Sequence, residues 1–196
     1  MKSLAHNVTL GTLTLATAVA SLAIIEPAHA SEATADSRLH GDLEVDPTAY
    51  ALSGYSVHAG LGWNQVRLDL GAFAMSLPGF VHGNDGFAAS FDGFGIKLQH
   101  FPLAKQAQTR LFIGVDAGLA RILVQREDTD QASRRNQYTL GGHIGWRFDL
   151  VGGLYATPWL GLSYAFNASD VSLGGRTYEN TPWIVFPAVH LGYRLR

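Results

Sequence analysis

Tyr138–Phe148 reads YTLGGHIGWRF. Its even positions hold Tyr138, Leu140, Gly142, Ile144, Trp146 and Phe148, and its odd positions hold Thr139, Gly141, His143, Gly145 and Arg147. A period of two is that of a β-strand, whose successive side chains point to opposite faces. One face here is apolar; the other is small, polar or charged. A sheet in water turns its apolar face inward, and a sheet surrounded by hydrocarbon turns it outward. The side on which His143 and Arg147 lie therefore decides the fold.

The alternation recurs along the chain. It predicts strands near Asp42–Ala51, Tyr55–Trp63, Val66–Met75, Ala89–Phe101, Arg110–Gln125, Gln137–Asp149, Leu154–Phe166 and Trp183–Arg196. Pro47 falls inside the first of these, where proline suits only an edge or a bulge. The connections GWNQ, FPLAKQAQT and DLVGG are short, whereas SLPGFVHGNDGFAA, REDTDQASRRNQ and NASDVSLGGRTYENTP are longer and polar. LSGY alone departs from this sorting of loops to two ends.

The polar faces are unlike those of a sheet in water. Ser56, His58, Gly60 and Gly62 oppose Tyr55, Val57, Ala59, Leu61 and Trp63, and Arg67, Asp69, Gly71 and Phe73 oppose Val66, Leu68, Leu70, Ala72 and Ala74. Glycine dominates, punctuated by single charged groups, and mid-strand glycine costs stability unless space is tight. Space is tight inside a narrow eight-stranded barrel. The polar face is thus expected inside, and the apolar face outside.

The opening MKSLAHNVTLGTLTLATAVASLAIIEPAHA has a lysine, an apolar run from Val8 to Ile25, and Ala28-His29-Ala30. These are the parts of a secretory signal, expected to be cleaved after Ala30. The expected organisation is a signal over 1–30, a short periplasmic leader over 31–41 and a barrel domain over 42–196. With no cysteine, disulfides and thiolate metal sites are excluded. A net charge of −2, without a basic run, gives no nucleic-acid footprint. Charged residues make up only 15% of an exported, glycine-rich chain whose later segments offer no membrane helix, so entry into a membrane would require closure into a barrel.

On these features, and on the closing strand FPAVHLGYRLR, the chain resembles the small eight-stranded outer-membrane β-barrels, including the transmembrane domain of outer-membrane protein A and the opacity-type proteins. The resemblance covers about Asp42 to Arg196. It implies an all-β, closed antiparallel transmembrane barrel of eight strands in an up-and-down meander, resident in the outer membrane as a monomer without a cofactor. It implies outer-membrane lipids and lipopolysaccharide as partners, and the barrel-assembly machinery as reader of the last strand. That group normally ends on an aromatic residue; here the chain ends Tyr193-Arg194-Leu195-Arg196, leaving Tyr193 for that part.

The inward parity collects His58, Arg67, Asp69, Lys97, Asp116, His143, Arg147, His190 and Arg194 into one expected polar network. Arg67, Lys97, Arg147 and Arg194 are expected to neutralise Asp69, Asp116 and Asp149. The three histidines lack helical or strand-neighbour ligand spacing, so hydrogen-bonded interior imidazoles are expected in place of a metal site. Ser56-Val57-His58 raises the alternative of a lipid A-modifying barrel hydrolase, which would also need an orienting acid. Narrow-bore conduction is a second alternative, against which an eight-stranded barrel leaves little bore. His82, Asn84 and Asp85 read as a turn before a cation site. Partners are expected at the loops Ser76–Gly86, Arg126–Arg135 and Asn167–Asn180.

Overall fold

The computed structural model describes residues 39–103 and 108–195. The expected signal and most of the expected leader lie outside the described residues. Eight strands close on themselves: β1 (His40–Val45), β2 (Tyr55–Trp63), β3 (Val66–Leu77), β4 (Phe87–His100), β5 (Arg110–Arg126), β6 (Ala132–Asp149), β7 (Leu154–Ala165) and β10 (Trp183–Arg194). Each pairs antiparallel with its neighbour in sequence, and β10 returns to β1. A two-stranded hairpin, β8 (Val171–Leu173) and β9 (Arg176–Tyr178), stands apart in the last long connection. The expected closed meander of eight strands is the fold observed. Among the described residues, no helix is long and apolar enough to cross a membrane.

The first strand is a correction. It begins at His40 and stops at Val45, and the remainder of Asp42–Ala51 is a short helix, α1 (Pro47–Ala51). Asp46 caps it, its Oδ1 accepting the Thr48 N–H at 2.9 Å, and Pro47 occupies the first turn, where its missing N–H costs nothing. The first upper connection is accordingly long, not the short LSGY. The third is corrected the other way. β5 and β6 stay paired up to Gln125↔Ala132, so half of the expected loop Arg126–Arg135 is strand. The ladder continues because Ile122 and Val124 still have something to pack on.

That packing partner is the hairpin. Phe87, Ala89, Val124, Val171 and Tyr178 form a buried cluster with Leu77, Ile122 and Leu173 against it. Gly174 and Gly175 turn the hairpin with φ of 54° and 78°, the sign a tight two-residue hairpin turn needs. The hairpin thus folds over the long-loop end. At the opposite end β2 and β3 are joined by Asn64 and Gln65 alone, and the two ends of the described chain meet where Leu195 N–H donates to Gly41.

Candidate functional site

Burial resolves the opening question. Along β2 exposure alternates without a break, with Ser56, His58, Gly60 and Gly62 buried between exposed Tyr55, Val57, Ala59, Leu61 and Trp63. His143 is 6% exposed, whereas Tyr138 is 54% and Ile144 50%. The polar face is inside.

Arg67 on β3 is the centre of the lumen and is wholly buried. Its Nε donates to Asp42 at 2.9 Å and its Nη1 to the Gln99 amide oxygen at 2.9 Å, and the same Nη1 lies 3.0 Å from Asp69. From Gln99 the network runs to His143 at 3.3 Å, then from His143 Nδ1 to Asp116 at 3.1 Å; Asp116 also accepts the Ser163 hydroxyl at 3.0 Å. A second branch centres on Glu44, which accepts Arg147 Nη2 at 2.8 Å and faces His190 Nδ1 at 2.9 Å, with Arg67 at 3.4 Å. Lys97 approaches Asp69 at 3.8 Å and lies 4.6 Å over the Trp159 ring. Arg147 stacks on Tyr155 at 4.1 Å and on Phe101 at 5.1 Å. Buried charges require such compensation, since each loses its hydration.

Eight of the nine expected residues therefore meet in one connected interior. Arg194 does not. Its inward parity holds, but it sits at the mouth, partly exposed and 3.5 Å from Asp149. Asp42 and Glu44, which the parity expectation omitted, are central. Their signal was present in HGDLEVD, where His40, Asp42 and Glu44 alternate with Gly41, Leu43 and Val45. Proline inside the expected strand obscured it.

The glycines opposite these groups are a steric necessity. A Cβ on Gly60 would collide with Asp42 and Arg67, and one on Gly71 would collide with the His58 ring. Each bulky interior residue thus occupies space that a neighbouring strand vacates. Some buried polar atoms remain without a hydrogen-bond partner, among them one each on Tyr155, Thr157 and Trp159, successive inward positions of β7, and Nε and Nη1 of Arg147.

At the edge of the lumen lies a relay. His58 Nε2 meets the Ser56 hydroxyl at 3.1 Å, and its Nδ1 meets Asp69 at 2.9 Å. All three side chains are buried, and His58 packs against His190 with ring centroids 4.6 Å apart and the rings tilted by 40°. Asp69 is the orienting acid that the sequence did not assign to Ser56 and His58.

Polar bonds tie the long-loop end together. Asn84 donates to the Glu179 carbonyl at 3.1 Å and accepts the Glu179 N–H at 2.8 Å, while Arg176 donates to the Asp85 carbonyl at 2.7 Å. His82, in the short helix α2 (Gly79–His82), accepts the Asn84 N–H on Nδ1 at 3.1 Å. Burial lowers the His82 pKa from its ordinary value of 6.5, although Glu127 and Asp85 pull the other way.

No protein-family model matches the chain, and no curated protein is detectably similar to it in sequence. Among solved structures, Neisserial surface protein A is 12% identical with a TM-score of 0.48, over 80% of this chain and 94% of that one. The N-terminal β-barrel domain of OprF from Pseudomonas aeruginosa is 14% identical with a TM-score of 0.43, over 83% of this chain and 100% of that one. A major outer membrane protein from Thermus thermophilus is 12% identical with a TM-score of 0.45, over 80% of this chain and 99% of that one. The barrel stands on the strand pairing of the chain itself, not on these scores.

Proposed function

We propose that the chain is an integral outer-membrane barrel with a structural or surface-interaction role, its partners met by the long loops. The observation that carries this is the outer wall. Among the described residues, no charged side chain faces outward between Tyr138 and Phe148 on β6 or at the same level of the other strands. Those two residues are ten positions apart, about 33 Å along a strand. A tilt of about 40° reduces this to about 25 Å, the height of the apolar band on outer-membrane barrels. Aromatic groups mark both borders: Tyr164 and Trp183 at 5.0 Å on the long-loop side, Trp146 and Phe148 at 6.1 Å on the other. In water such a wall would be an aggregation surface. The filled lumen argues against conduction.

The test is fractionation of cells expressing the full chain, with gel migration before and after boiling. Recovery in the outer-membrane fraction with heat-dependent migration is expected. A soluble periplasmic product would overturn the reading.

One observation favours a second reading, a serine hydrolase acting on lipid: the Ser56–His58–Asp69 relay has the order and spacing of a nucleophile, base and acid. Its burial beneath the barrel wall argues for a structural role. Covalent labelling of Ser56 by a fluorophosphonate, lost in Ser56→Ala and His58→Ala while folding persists, would favour the hydrolase.

A further inference from the structure

The outer wall is not uniform above its apolar band. The register of β4, β5 and β6 stacks its outward residues in rows. The upper border of the band is Phe94, Leu119 and Tyr138. The next row is Asp92, Arg121 and Asn136, and the one above it Ser90, Leu123 and Arg134. On β3 and β2 the row of Asp92 and Arg121 continues through Ala74 and Tyr55, and the uppermost paired outward residues of β7 and β10 are Tyr164 and Trp183, none of them charged. Among the described residues, the outward-facing cations over the band are thus Arg121 and Arg134, on adjacent strands and diagonal to one another.

The remaining arginines at this end are directed elsewhere. Arg126 reaches Asp128 and the Gly174 carbonyl, Arg176 the Asp85 carbonyl, and Arg135 the Ser169 hydroxyl. Arg121 is held by Asp92 across the strands at 2.7 Å, in a pair that is about half exposed. Arg134 is exposed and makes no hydrogen bond or ion pair among the described residues. A guanidinium left open on a wall otherwise built for hydrocarbon invites a ligand that is anionic above and apolar below.

Heights narrow the choice. Outward residues on one strand are about 6.6 Å apart, so a row rises about 5 Å on a tilted strand. Arg121 then lies about 5 Å and Arg134 about 10 Å above the border. The polar layer of a bilayer leaflet is about 5–7 Å thick, and an arginine stem can bend back by that order. Both guanidiniums therefore reach phosphate level. Below them Phe94, Leu119, Tyr138 and Leu140 are exposed and can receive acyl chains. Asn136, directly across from Arg121, adds an amide that can bond sugar hydroxyls or amides.

We infer that this face of β5 and β6 seats one phosphorylated, acylated glycolipid of the loop-side leaflet, a lipid A-type molecule, with Arg134 and Arg121 on its phosphates. The inference rests on the proposed membrane residence and on the long loops facing outward. Arg134 binds phosphate with a fork of N–H donors that a carboxylate does not already occupy. Arg121 is shared between phosphate and Asp92, so Asp92 restrains affinity. Glu127, Asp128 and Asp130 lie beyond both rows, at the turn, and Asp128 is already paired with Arg126.

The test is native mass spectrometry of the detergent-solubilised full-length protein with three probes: bisphosphorylated lipid A, the same lipid dephosphorylated, and phosphatidylglycerol. Binding is expected in the order lipid A, phosphatidylglycerol, dephosphorylated lipid. At about 1 kcal/mol per surface cation, Arg134→Ala should weaken lipid A binding about five-fold, and Arg121→Ala by no more than that. Asp92→Asn should strengthen it by a similar factor, an effect that loss of folding cannot imitate. Arg110→Ala, at the opposite rim, should change nothing. Equal binding of phosphorylated and dephosphorylated lipid, or no response to Arg134→Ala and Asp92→Asn in protein that still migrates as a barrel, overturns the site alone. A protein that stays soluble without detergent overturns the membrane residence and the site together.

Discussion

Glu44→Gln removes one buried charge while leaving the volume of the side chain almost unchanged. Glu44 is 3% exposed and is the acceptor for Arg147 at 2.8 Å and the partner of His190 at 2.9 Å. Arg67 can lose it and still keep Asp42, Asp69 and Gln99. Arg147 cannot. Its next carboxylate oxygen, on Asp42, is 3.9 Å away, and its Nε and Nη1 already lack hydrogen-bond partners. The substitution therefore strands a cation in a space closed to water, which costs about 3–5 kcal/mol. The loss falls on the weakest seam. β1 meets β10 over four register pairs, against eleven between β10 and β7. Urea unfolding of the protein in lipid vesicles, followed by tryptophan fluorescence, measures the change. Glu44→Gln with Arg147→Met removes the stranded cation as well and should cost at least 1 kcal/mol less than the two single costs added. A loss below about 1 kcal/mol for Glu44→Gln, or strict additivity, would refute the claim that these charges hold β1 in place.

Gly71→Val should destabilise by at least 1–3 kcal/mol, because the new side chain meets the His58 ring, whereas Gly142→Ala on the outward face should cost far less; the same urea assay separates them. The docking of the α2 loop on the β8–β9 hairpin should weaken in acid. His82 has a folded pKa below its unfolded value of 6.5, so the docked state is at full strength above that value and loses stability as pH falls beneath it. Amide protection at Asn84 and Glu179, each exchange rate taken against the intrinsic rate at the same pH, reads this between pH 7.5 and 5, and weaker protection at pH 7.5 than at pH 5 would contradict it. Asp130→Cys, in the exposed β5–β6 turn, should react with an impermeant maleimide on intact cells. Labelling only after the outer membrane is opened would invert the topology.

Much of this architecture could be read from the sequence because a strand writes its two faces into alternate letters. YTLGGHIGWRF announces an apolar face and a polar one, and a glycine-rich polar face is explicable only where backbones and large side chains compete for space. Closure, strand count and the inward histidines followed from that. Boundaries were less legible. HGDLEVDPTAYA ends its strand at Val45 since Asp46 and Pro47 start a helix, a local contest between two hydrogen-bonding schemes that alternation cannot register. The length of β5 and β6 beyond the apolar band was hidden for another reason: REDTDQASRRNQ is polar as a loop is polar, and only the β8–β9 hairpin packing on Ile122 and Val124 keeps its flanks paired.

What the sequence determined by itself is which side chains share a face, because parity along a strand is a property of consecutive residues. Which of them touch depends on the shear of the closed sheet, which sets residues a hundred positions apart at the same height. Tertiary structure alone therefore put Glu44 between Arg147 and His190 and left Arg194 at the mouth with Asp149. Parity chose the interior; closure chose the partners.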